Sequence, residues 1–307
     1  MNQQETRMRV CMQQRGLYRV MDEAGEILAA RVNGKWMHEA KDALDFPVVG
    51  DYVWVRRDTG VMMRLEARQN VLTRIGADPS GRVRQPIAAN LDALWCCMAL
   101  GQDVRVSRVE RYLAAAAGAG IPAVVLLTKA DLCADPSAAV RTVQHALPGV
   151  ECMPISMADA AGVQALRRRI AQGQSTVALA GASGVGKSTL CNALLGEEYL
   201  RTAAVREGDM RGRHTTTQRE LILLPTGGVL IDTPGMRAFA LDESDVGGAF
   251  EALGVLRTKC RFRDCTHTCE PGCALRAAVE RGEVDEKTLQ SYVRLMREQA
   301  RRARKRK

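Results

Sequence analysis

The segment GASGVGKS, residues 181–188, constrains the fold more than any other part of this sequence. It matches the phosphate-loop pattern G-x-x-x-x-G-K-[S/T] without a mismatch. The apolar run at residues 176–180 has the character of a buried parallel strand, and apolar residues at helical spacing follow over Lys187–Leu195. Glycine lets the backbone turn tightly, so that its N–H groups and the positive end of the helix can face an anion. These residues predict a strand, a phosphate-binding loop and a helix within an α/β domain.

Composition limits the class of protein further. The chain has 307 residues, of which 46% are apolar, so it can form globular cores, and its length suggests about two domains. No apolar run approaches the roughly 18 residues of a membrane span, and the opening segment MNQQETRMRV lacks the apolar stretch of a signal peptide. We therefore expect a cytoplasmic protein without membrane contact. In that compartment the ten cysteines are expected to be thiols or metal ligands.

The charge of the chain indicates a partner. A formal net charge of +9 favours a polyanion, RNA or DNA before a membrane surface. The alternative is that this charge only keeps the protein in solution.

Residues 1–75 have the pattern of a small antiparallel barrel. The runs LYRVM, EILAARV, WMHEA, DYVWVR and VMMRLEAR are separated by turn-forming segments. Basic residues alternate with Tyr18, Trp36 and Trp54, as in barrels that stack bases on aromatic rings. We predict a five-stranded oligonucleotide-binding barrel (OB-fold) that binds RNA. The alternative is a structural barrel whose aromatic side chains form its core.

The remaining chain divides into three parts. Residues 76–86 are rich in turn-forming residues and are expected to be a linker. Over residues 87–240, strand patterns alternate with helix patterns, which predicts a doubly wound α/β domain with a mostly parallel sheet. Residues 241–307 contain a cysteine cluster and then helical patterns, and they end in the basic tail RLMREQARRARKRK. The tail predicts a helix, from about Asp285, that contacts RNA phosphates, unless it is simply a solvated helix face.

The phosphate loop assigns roles to its residues. Lys187 would reach the β- and γ-phosphates and assist catalysis, and the Ser188 hydroxyl would bind Mg²⁺. Asp232 follows the strand GGVLI and is expected to hold Mg²⁺ through water, while Gly235 offers its N–H to the γ-phosphate. The residues expected to contact the phosphates are Gly181, Ala182, Ser183, Gly184, Val185, Gly186, Lys187, Ser188, Thr189 and Gly235.

The tetrapeptide TKAD, Thr128 to Asp131, resembles the Asn-Lys-x-Asp element of guanine-binding GTPases. The Asp131 carboxylate can accept hydrogen bonds from N1–H and the 2-amino group of guanine, and adenine lacks that amino group. Lys129 would lie along the purine, next to Ala130, and Ser156 is expected near the O6 atom of the base. Thr128 replaces Asn, so we expect a weaker link between the base loop and the phosphate loop.

A cysteine-rich segment, KCRFRDCTHTCEPGCAL, has the spacing of a metal site. Cys260, Cys265, His267 and Cys273 offer three thiolates and one imidazole, a set that can surround one zinc ion without leaving a position for water. A structural zinc site is therefore predicted. Cys269 could compete with Cys265 or Cys273, or remain a free thiol. Disulfides are the alternative for the whole cluster.

The order of the motifs is unusual because the base motifs precede the phosphate loop. A sheet can be cut at one surface loop and rejoined at another, so the domain is expected to be circularly permuted. This order, with the barrel before it and the cysteine cluster after it, resembles the RsgA (YjeQ/YloQ) family of small ribosomal subunit biogenesis GTPases over nearly the whole chain. The resemblance implies a GTP-hydrolysing factor that acts late in small-subunit maturation, with hydrolysis stimulated by that subunit. It implies GTP or GDP, Mg²⁺ and one Zn²⁺ as ligands, and the small subunit and its rRNA as partners.

The resemblance also identifies GRHTTT, residues 212–217, as the first switch segment. Thr216, or otherwise Thr215, would bind Mg²⁺ when the γ-phosphate is present. Met236 stands where other GTPases have a glutamine, so His214 becomes the candidate that orients the attacking water. The alternative is that His214 is a solvated loop residue.

Two other functions fit parts of the sequence. The chain could be an RNA-binding assembly module that uses GTP only as an occupancy switch. It could instead be a phosphate-loop kinase acting on a small molecule, although TKAD and the switch threonines argue against that. Nothing in the sequence indicates more than a monomer.

Overall fold

The computed structural model describes residues 5–14, 16–75, 84–100, 106–182, 184–196, 219–232, 251–284 and 286–304. The strands are β1 (Glu5–Gln14), β2 (Leu17–Met21), β3 (Ile27–Val32), β4 (Tyr52–Arg56), β5 (Val61–Leu65), β6 (Val71–Ile75), β7 (Arg84–Ala89), β8 (Ala93–Ala99), β9 (Ala123–Thr128), β10 (Glu151–Pro154), β11 (Thr176–Gly181), β12 (Arg219–Leu223) and β13 (Val229–Asp232). The helices are α1 (Gly34–Glu39), α2 (Val106–Gly118), α3 (Pro136–Ala146), α4 (Ala160–Gln172), α5 (Lys187–Leu195), α6 (Glu251–Arg257), α7 (Ala274–Glu280) and α8 (Glu286–Arg304).

The first five strands form a ring of hydrogen-bonded pairs. Strand β1 is antiparallel to both β2 and β4, and β2 is antiparallel to β3. Strand β5 lies parallel to β3 and antiparallel to β4, so the order runs β1-β2-β3-β5-β4 and returns to β1. Apolar side chains that alternate along these strands fill the interior. Tyr18, 5% exposed, is one of them, so the core alternative holds for this aromatic residue.

This region differs from the sequence prediction in two ways. The run WMHEA lies in α1 and not in a strand, because the side chain of Asn33 caps that helix by accepting the N–H of Trp36 at 2.7 Å. The fifth strand is instead β1, which the sequence pattern did not single out. Its ten residues include long polar side chains that mask the alternation of apolar positions.

The expected linker at residues 76–86 overlaps a two-stranded hairpin. Strands β6 and β7 pair antiparallel, and residues 84–86 belong to β7. Proline is tolerated at Pro86 because the register shifts nearby, between Leu72 and Thr73 of the partner strand. Residues 76–83 lie outside the described residues.

The central α/β region is a sheet with helices on both faces. Strands β10, β9, β8, β11 and β13 lie side by side and parallel, and β12 is antiparallel to β13. Helices α4 and α5 cover one face through side chains such as Leu166 and Leu190. Helices α2 and α3 cover the other through Val109, Tyr112 and Val143. The carboxyl ends of β9, β11 and β13 therefore meet at one edge, where ligands of such sheets bind.

The strand ring and the α/β sheet share one continuous hydrogen-bonded sheet. Met12 and Gln13 of β1 pair with Glu220 and Arg219 of β12. The α/β sheet is thus continuous with the ring, and the first two residues of β12 are paired on the edge that faces away from β13.

The C-terminal helices pack on the same core as α2. Leu253 of α6, Leu275 of α7, and Leu289 and Tyr292 of α8 belong to the cluster that includes Tyr112. Glu110 of α2, 6% exposed, accepts hydrogen bonds from Ser291 and Arg294 of α8. Within the described part of the chain, no helix is long and apolar enough to cross a membrane.

Candidate functional site

The phosphate loop lies at the carboxyl end of β11, and its backbone requires glycine. Gly181 has a φ of +151°, and a Cβ built there would lie 2.7 Å from the carbonyl oxygen of Cys97 on β8. Gly186 has a φ of +102° and occupies the position before the first residue of α5. Side chains at either position would strain the loop or displace β8. The chain thereby brings the N-terminus of a nine-residue helix close to the edge of the sheet.

Lys187 lies back over its own loop. Its Nζ donates hydrogen bonds to the carbonyl oxygens of Gly181 and Ala182, both at 2.8 Å. The side chains of Ser188 and Thr189 are exposed, and Val185 is buried. The ammonium group is thus held over the loop, at the position from which it could contact an anion. Gly184 of the same loop is exposed, and Ser183 lies outside the described residues.

Asp232 ends β13, the strand next to β11, and pairs in register with Leu179. Burial raises the pKa of Asp232 above its ordinary value, and the positive charge of Lys187 opposes that rise. The carboxylate therefore lies near the loop, in surroundings where a further cation would favour its ionised form.

The base loop is tied to the phosphate loop by a hydrogen bond. The buried hydroxyl of Thr128 donates to the carbonyl oxygen of Val185 at 2.5 Å, across 57 residues of sequence. Thr128 is the last residue of β9, and Lys129 after it has a left-handed φ of +58°. The Thr128 hydroxyl therefore reaches the phosphate loop directly, and the weaker link expected from the loss of Asn stays a prediction. The parallel order β9-β8-β11 brings the two loops close enough for this contact.

The turn that carries Asp131 also contacts the loop that carries Ser156. Asp131 lies in the short 3-10 helix Ala130–Leu132 and is exposed at the carboxyl edge of the sheet. The N–H of Ala130 donates to the carbonyl oxygen of Ile155 at 3.2 Å. The next residue, Ser156, accepts the N–H of Ala158 at 3.1 Å. Three segments from distant parts of the sequence thus converge beside the phosphate loop.

Several predicted residues cannot be placed. His214, Thr215, Thr216 and Gly235 lie outside the described residues, as Ser183 does. Their roles remain predictions.

The cysteine cluster brings four potential metal ligands together. The ligand atoms of Cys260, Cys265, His267 and Cys273 all lie within 4.8 Å of one another. Nδ1 of His267 lies 3.6 Å from the sulfur of Cys260 and 3.6 Å from that of Cys273. Zinc bonds of about 2.3 Å to sulfur and 2.0 Å to nitrogen, at a tetrahedral angle, give a separation of about 3.5 Å between the sulfur and the nitrogen. The cluster therefore has the dimensions of a tetrahedral metal site, and Cys269 is exposed and lies outside it.

Burial acts in opposite directions on the thiols and on the imidazole of the cluster. Burial raises the pKa of Cys265 to about 12, with neighbouring thiols adding to the rise. Burial lowers the pKa of His267, which favours the neutral imidazole that a metal needs. A bound cation would offset the desolvation of the thiolates, because its positive charge stabilises their negative charge.

Glu270 organises this loop and was missed in the sequence. Its carboxylate accepts the N–H groups of Thr266, Thr268 and Cys269, at 2.8, 3.1 and 3.2 Å. Hydrogen bonds from the Thr266 side chain and the neighbouring backbone lower the pKa of Glu270 to about 2. The sequence did contain a signal for this role: Glu270 lies between the candidate ligands His267 and Cys273, where a carboxylate can accept several N–H groups of a tight loop.

The comparisons with known proteins define the class of the fold. A solved structure described as YjeQ from Thermotoga maritima aligns with 97% of this chain and 99% of its own, at a TM-score of 0.71 and 24% identity. A structure described as YloQ, a circularly permuted GTPase, aligns with 97% of this chain and 96% of its own, at a TM-score of 0.67 and 24% identity. The fold is therefore that of the circularly permuted GTPases.

The family follows from the sequence comparisons. The profile of the RsgA GTPase family matches residues 65–242. A protein named small ribosomal subunit biogenesis GTPase RsgA 2, from Lactiplantibacillus plantarum, is 45% identical over 293 residues, covering 94% of this chain and 82% of its own. An RsgA from Methanosarcina acetivorans is 42% identical over 277 residues, covering 88% and 73%. The chain belongs to the RsgA GTPase family, and it is a GTP hydrolase rather than a small-molecule kinase.

Proposed function

We propose that this chain hydrolyses GTP while bound to the small ribosomal subunit, late in the maturation of that subunit, and that the subunit stimulates hydrolysis. The observation that carries the proposal is the hydrogen bond between Thr128 and Val185, which links the base loop to the phosphate loop. One nucleotide can then contact both loops. The partner is proposed from the relatives, which are named small ribosomal subunit biogenesis GTPases.

The nucleotide would lie along the carboxyl edge of the sheet. Asp131 accepts the two N–H donors of guanine, Lys129 covers the purine, and Ser156 lies near O6. Lys187 exchanges its carbonyl partners in the loop for the β- and γ-phosphates. The proposed nucleotide contacts are Thr128, Lys129, Ala130, Asp131, Ser156, Gly181, Ala182, Ser183, Gly184, Val185, Gly186, Lys187, Ser188, Thr189 and Gly235.

The residues around Asp232 fit a magnesium ion. Ser188, exposed at the start of α5, Asp232 and Thr216 would hold it, and it would neutralise charge on the phosphates. The burial that raises the pKa of Asp232 supports this role, because a nearby cation would offset the desolvation of its carboxylate. Hydrolysis then depends on positioning: Lys187 and the loop N–H groups hold the phosphates, His214 orients the attacking water, and Gly235 contacts the γ-phosphate.

We assign zinc to the cysteine cluster. Cys260, Cys265, His267 and Cys273 fill a tetrahedral set with no position for water, so the ion would be structural. It would join the loop before α7 to the helices that pack on α2.

The N-terminal ring has the strand order of an OB-fold, and we propose that it binds rRNA. Guanidinium groups lie over two of its aromatic rings: Arg7 is 3.7 Å from the centre of Tyr52, and Arg64 is 4.2 Å from that of Trp54. Such pairs combine positive charge with a flat surface, as strand-binding barrels do. The basic end of α8 would add phosphate contacts.

The proposed domains are the barrel (1–75), a linker (76–86), the permuted GTPase domain (87–240) and the zinc-binding domain with its basic tail (241–307). The hairpin of β6 and β7 crosses the first two boundaries and fixes the barrel close to the GTPase domain. We further propose that the protein acts as a monomer in the cytoplasm, where small subunits mature.

GTP turnover by the full chain, with and without purified small subunits, tests this proposal. We expect faster turnover with small subunits and no increase with large subunits. Equal slow rates in all three reactions would contradict stimulation, and would favour the alternative of an RNA-binding assembly module that uses GTP as an occupancy switch.

A further inference from the structure

A cavity of about 820 Å³ lies between α2 and the C-terminal helices, and the described residues that line it include none of the phosphate loop. Its wall is formed by α2, α7, α8 and the segment of the cysteine cluster around His267. Its charged lining residues are Arg111, Arg276, Glu286, Arg294 and Arg297. Four guanidinium groups face one carboxylate. Glu110, which pairs with Arg294, adds a second carboxylate, so the charged groups at the cavity among the described residues are four arginines and two glutamates. Its volume falls in the range of about 300–1,000 Å³ that is usual for small-ligand sites.

Two of the arginines are held in place without using all their donors. Among the described residues, Arg276 bonds to both oxygens of Glu286 through Nη1 alone, at 2.9 and 3.0 Å. Among the same residues, Arg294 bonds to Glu110 and to Ser291 through Nη2 alone. A guanidinium has five N–H donors in a rigid fork, so each retains donors that can face a ligand. The ion pairs thus fix the orientation of the groups before anything binds, which lowers the entropy cost of binding.

Arg297 brings a further positive charge to the cavity. Its side chain is exposed and, among the described residues, has no hydrogen bond or ion pair. It follows Arg294 by one turn of α8, and Gln290 lines the cavity one turn earlier. In the sequence the same helical spacing continues at Arg301 and Arg304. The cavity therefore lies at one end of a line of basic positions.

We propose that this cavity binds a phosphate group. Rigid, forked guanidinium groups match phosphate oxygens in pairs, and a cluster of arginines on converging elements is the usual protein device for that recognition. The phosphate can come from a free phosphorylated molecule or from an RNA backbone that continues along α8. An RNA backbone as the source rests on the proposed RNA binding, whereas a free phosphorylated molecule does not.

Titration of pyrophosphate into the full, zinc-loaded chain tests the site. Saturating GDP and Mg²⁺ keep the phosphate loop filled, so that pyrophosphate cannot bind there. We expect Arg297→Gln to weaken pyrophosphate binding about tenfold, the effect of losing one charge-assisted hydrogen bond. The matched control is Arg281→Gln, which removes an exposed charge paired with Glu283 at the end of α7, outside the lining of the cavity. It should change the affinity less than twofold.

A short single-stranded RNA, titrated under the same conditions, identifies the source of the phosphate. If only RNA shows the difference between the two variants, the site takes a backbone phosphate; if only pyrophosphate does, it takes a free one. Equal effects of Arg297→Gln and Arg281→Gln on both probes, or no binding of either probe, would overturn the proposal. Intrinsic GTP hydrolysis by the same variants should match the unmodified chain, so that failure here is separable from failure of the proposed function.

Discussion

Nη2 of Arg9, in the first strand of the chain, donates a 2.7 Å hydrogen bond to the hydroxyl of Thr176, the first residue of the strand that leads into the phosphate loop. Nε of Arg9 also donates to the carbonyl oxygen of Gly50 at 3.2 Å. Burial lowers the pKa of Arg9, so the group bears a desolvation cost that these bonds offset. One side chain therefore holds the strand ring against the strand that positions the nucleotide.

Replacing Arg9 by Ala should lower the free energy of unfolding by about 1–3 kcal/mol, because two partly buried acceptors lose their donor. Chemical denaturation followed by circular dichroism would measure the change. Arg141→Ala, at an exposed position of α3, is the matched control and should stay within about 0.5 kcal/mol of the unmodified chain. Similar values for both variants would show that the Arg9 contact contributes nothing.

Replacing Asp131 by Asn should change the preferred base. The amide repels one donor of guanine, and the loss of two charge-assisted bonds should weaken GDP binding by about 10²–10⁴-fold. Xanthosine nucleotides, with a carbonyl in place of the 2-amino group, should bind the variant more tightly than GDP. Fluorescent-nucleotide titration measures both. Asp135→Asn keeps the cap of α3 and should leave the preference for guanine intact; an unchanged preference in Asp131→Asn would remove that residue from the base site.

Replacing Asp232 by Asn should stabilise the nucleotide-free protein while it impairs Mg²⁺-dependent hydrolysis. Burial raises the pKa of this carboxyl, so its ionised form destabilises the fold once the pH exceeds the ordinary value for Asp, about 3.9. At pH 8 the variant should melt a few degrees higher, at about 2–4 °C per kcal/mol gained. The difference should shrink as the pH falls toward 4.

Thermal melts of the Asp232→Asn variant without nucleotide, over that pH range, measure this effect. Asp58→Asn, in an exposed turn, should melt with the unmodified chain at every pH. An Asp232→Asn melting temperature at or below that of the unmodified chain at pH 8 would refute the electrostatic explanation.

Replacing His214 by Ala should reduce subunit-stimulated turnover by about 100-fold, as the loss of a group that orients water does. GTP affinity should remain nearly unchanged, because the residue is not assigned to ground-state binding. Single-turnover hydrolysis with small subunits, alongside nucleotide titration, separates the two. His145→Ala, on the exposed surface of α3, is the control. Unchanged turnover would exclude His214 from the mechanism.

Metal analysis of the purified chain should find about one zinc ion. Cys265→Ala should lose most of it and expose the C-terminal helices to limited proteolysis, since three ligands hold zinc poorly. Cys269→Ala should retain the metal, because that thiol is exposed and outside the cluster. Loss of zinc in both variants would mean that the ligand set is wrong.

Local patterns predicted the site elements well. The expected helix at Lys187–Leu195 has the bounds of α5, and the strand predicted over residues 176–180 continues one residue further, to Gly181. These elements could be predicted because the spacing of apolar residues and the glycines that determine them lie close together in the sequence. The Thr128 contact could not be foreseen in the same way, because its partner is distant in sequence and the contact depends on strand order. The cavity between α2 and the C-terminal helices was missed for the same reason, since Arg111 and Arg276, far apart in sequence, line it together only in the folded chain.

The pairing of β1 with β12 has a practical consequence. Strand β12 begins at Arg219, just after the predicted switch segment, and its outer edge is covered by residues 12 and 13. A shortened protein that starts after the barrel would leave this edge with open N–H and C=O groups, beside the exposed side chain of Leu223. Such edges recruit strands from other molecules. The GTPase domain of this protein is therefore not expected to be stable on its own. Truncated proteins that lack β1 should aggregate, and their GTPase activity would not represent that of the full chain.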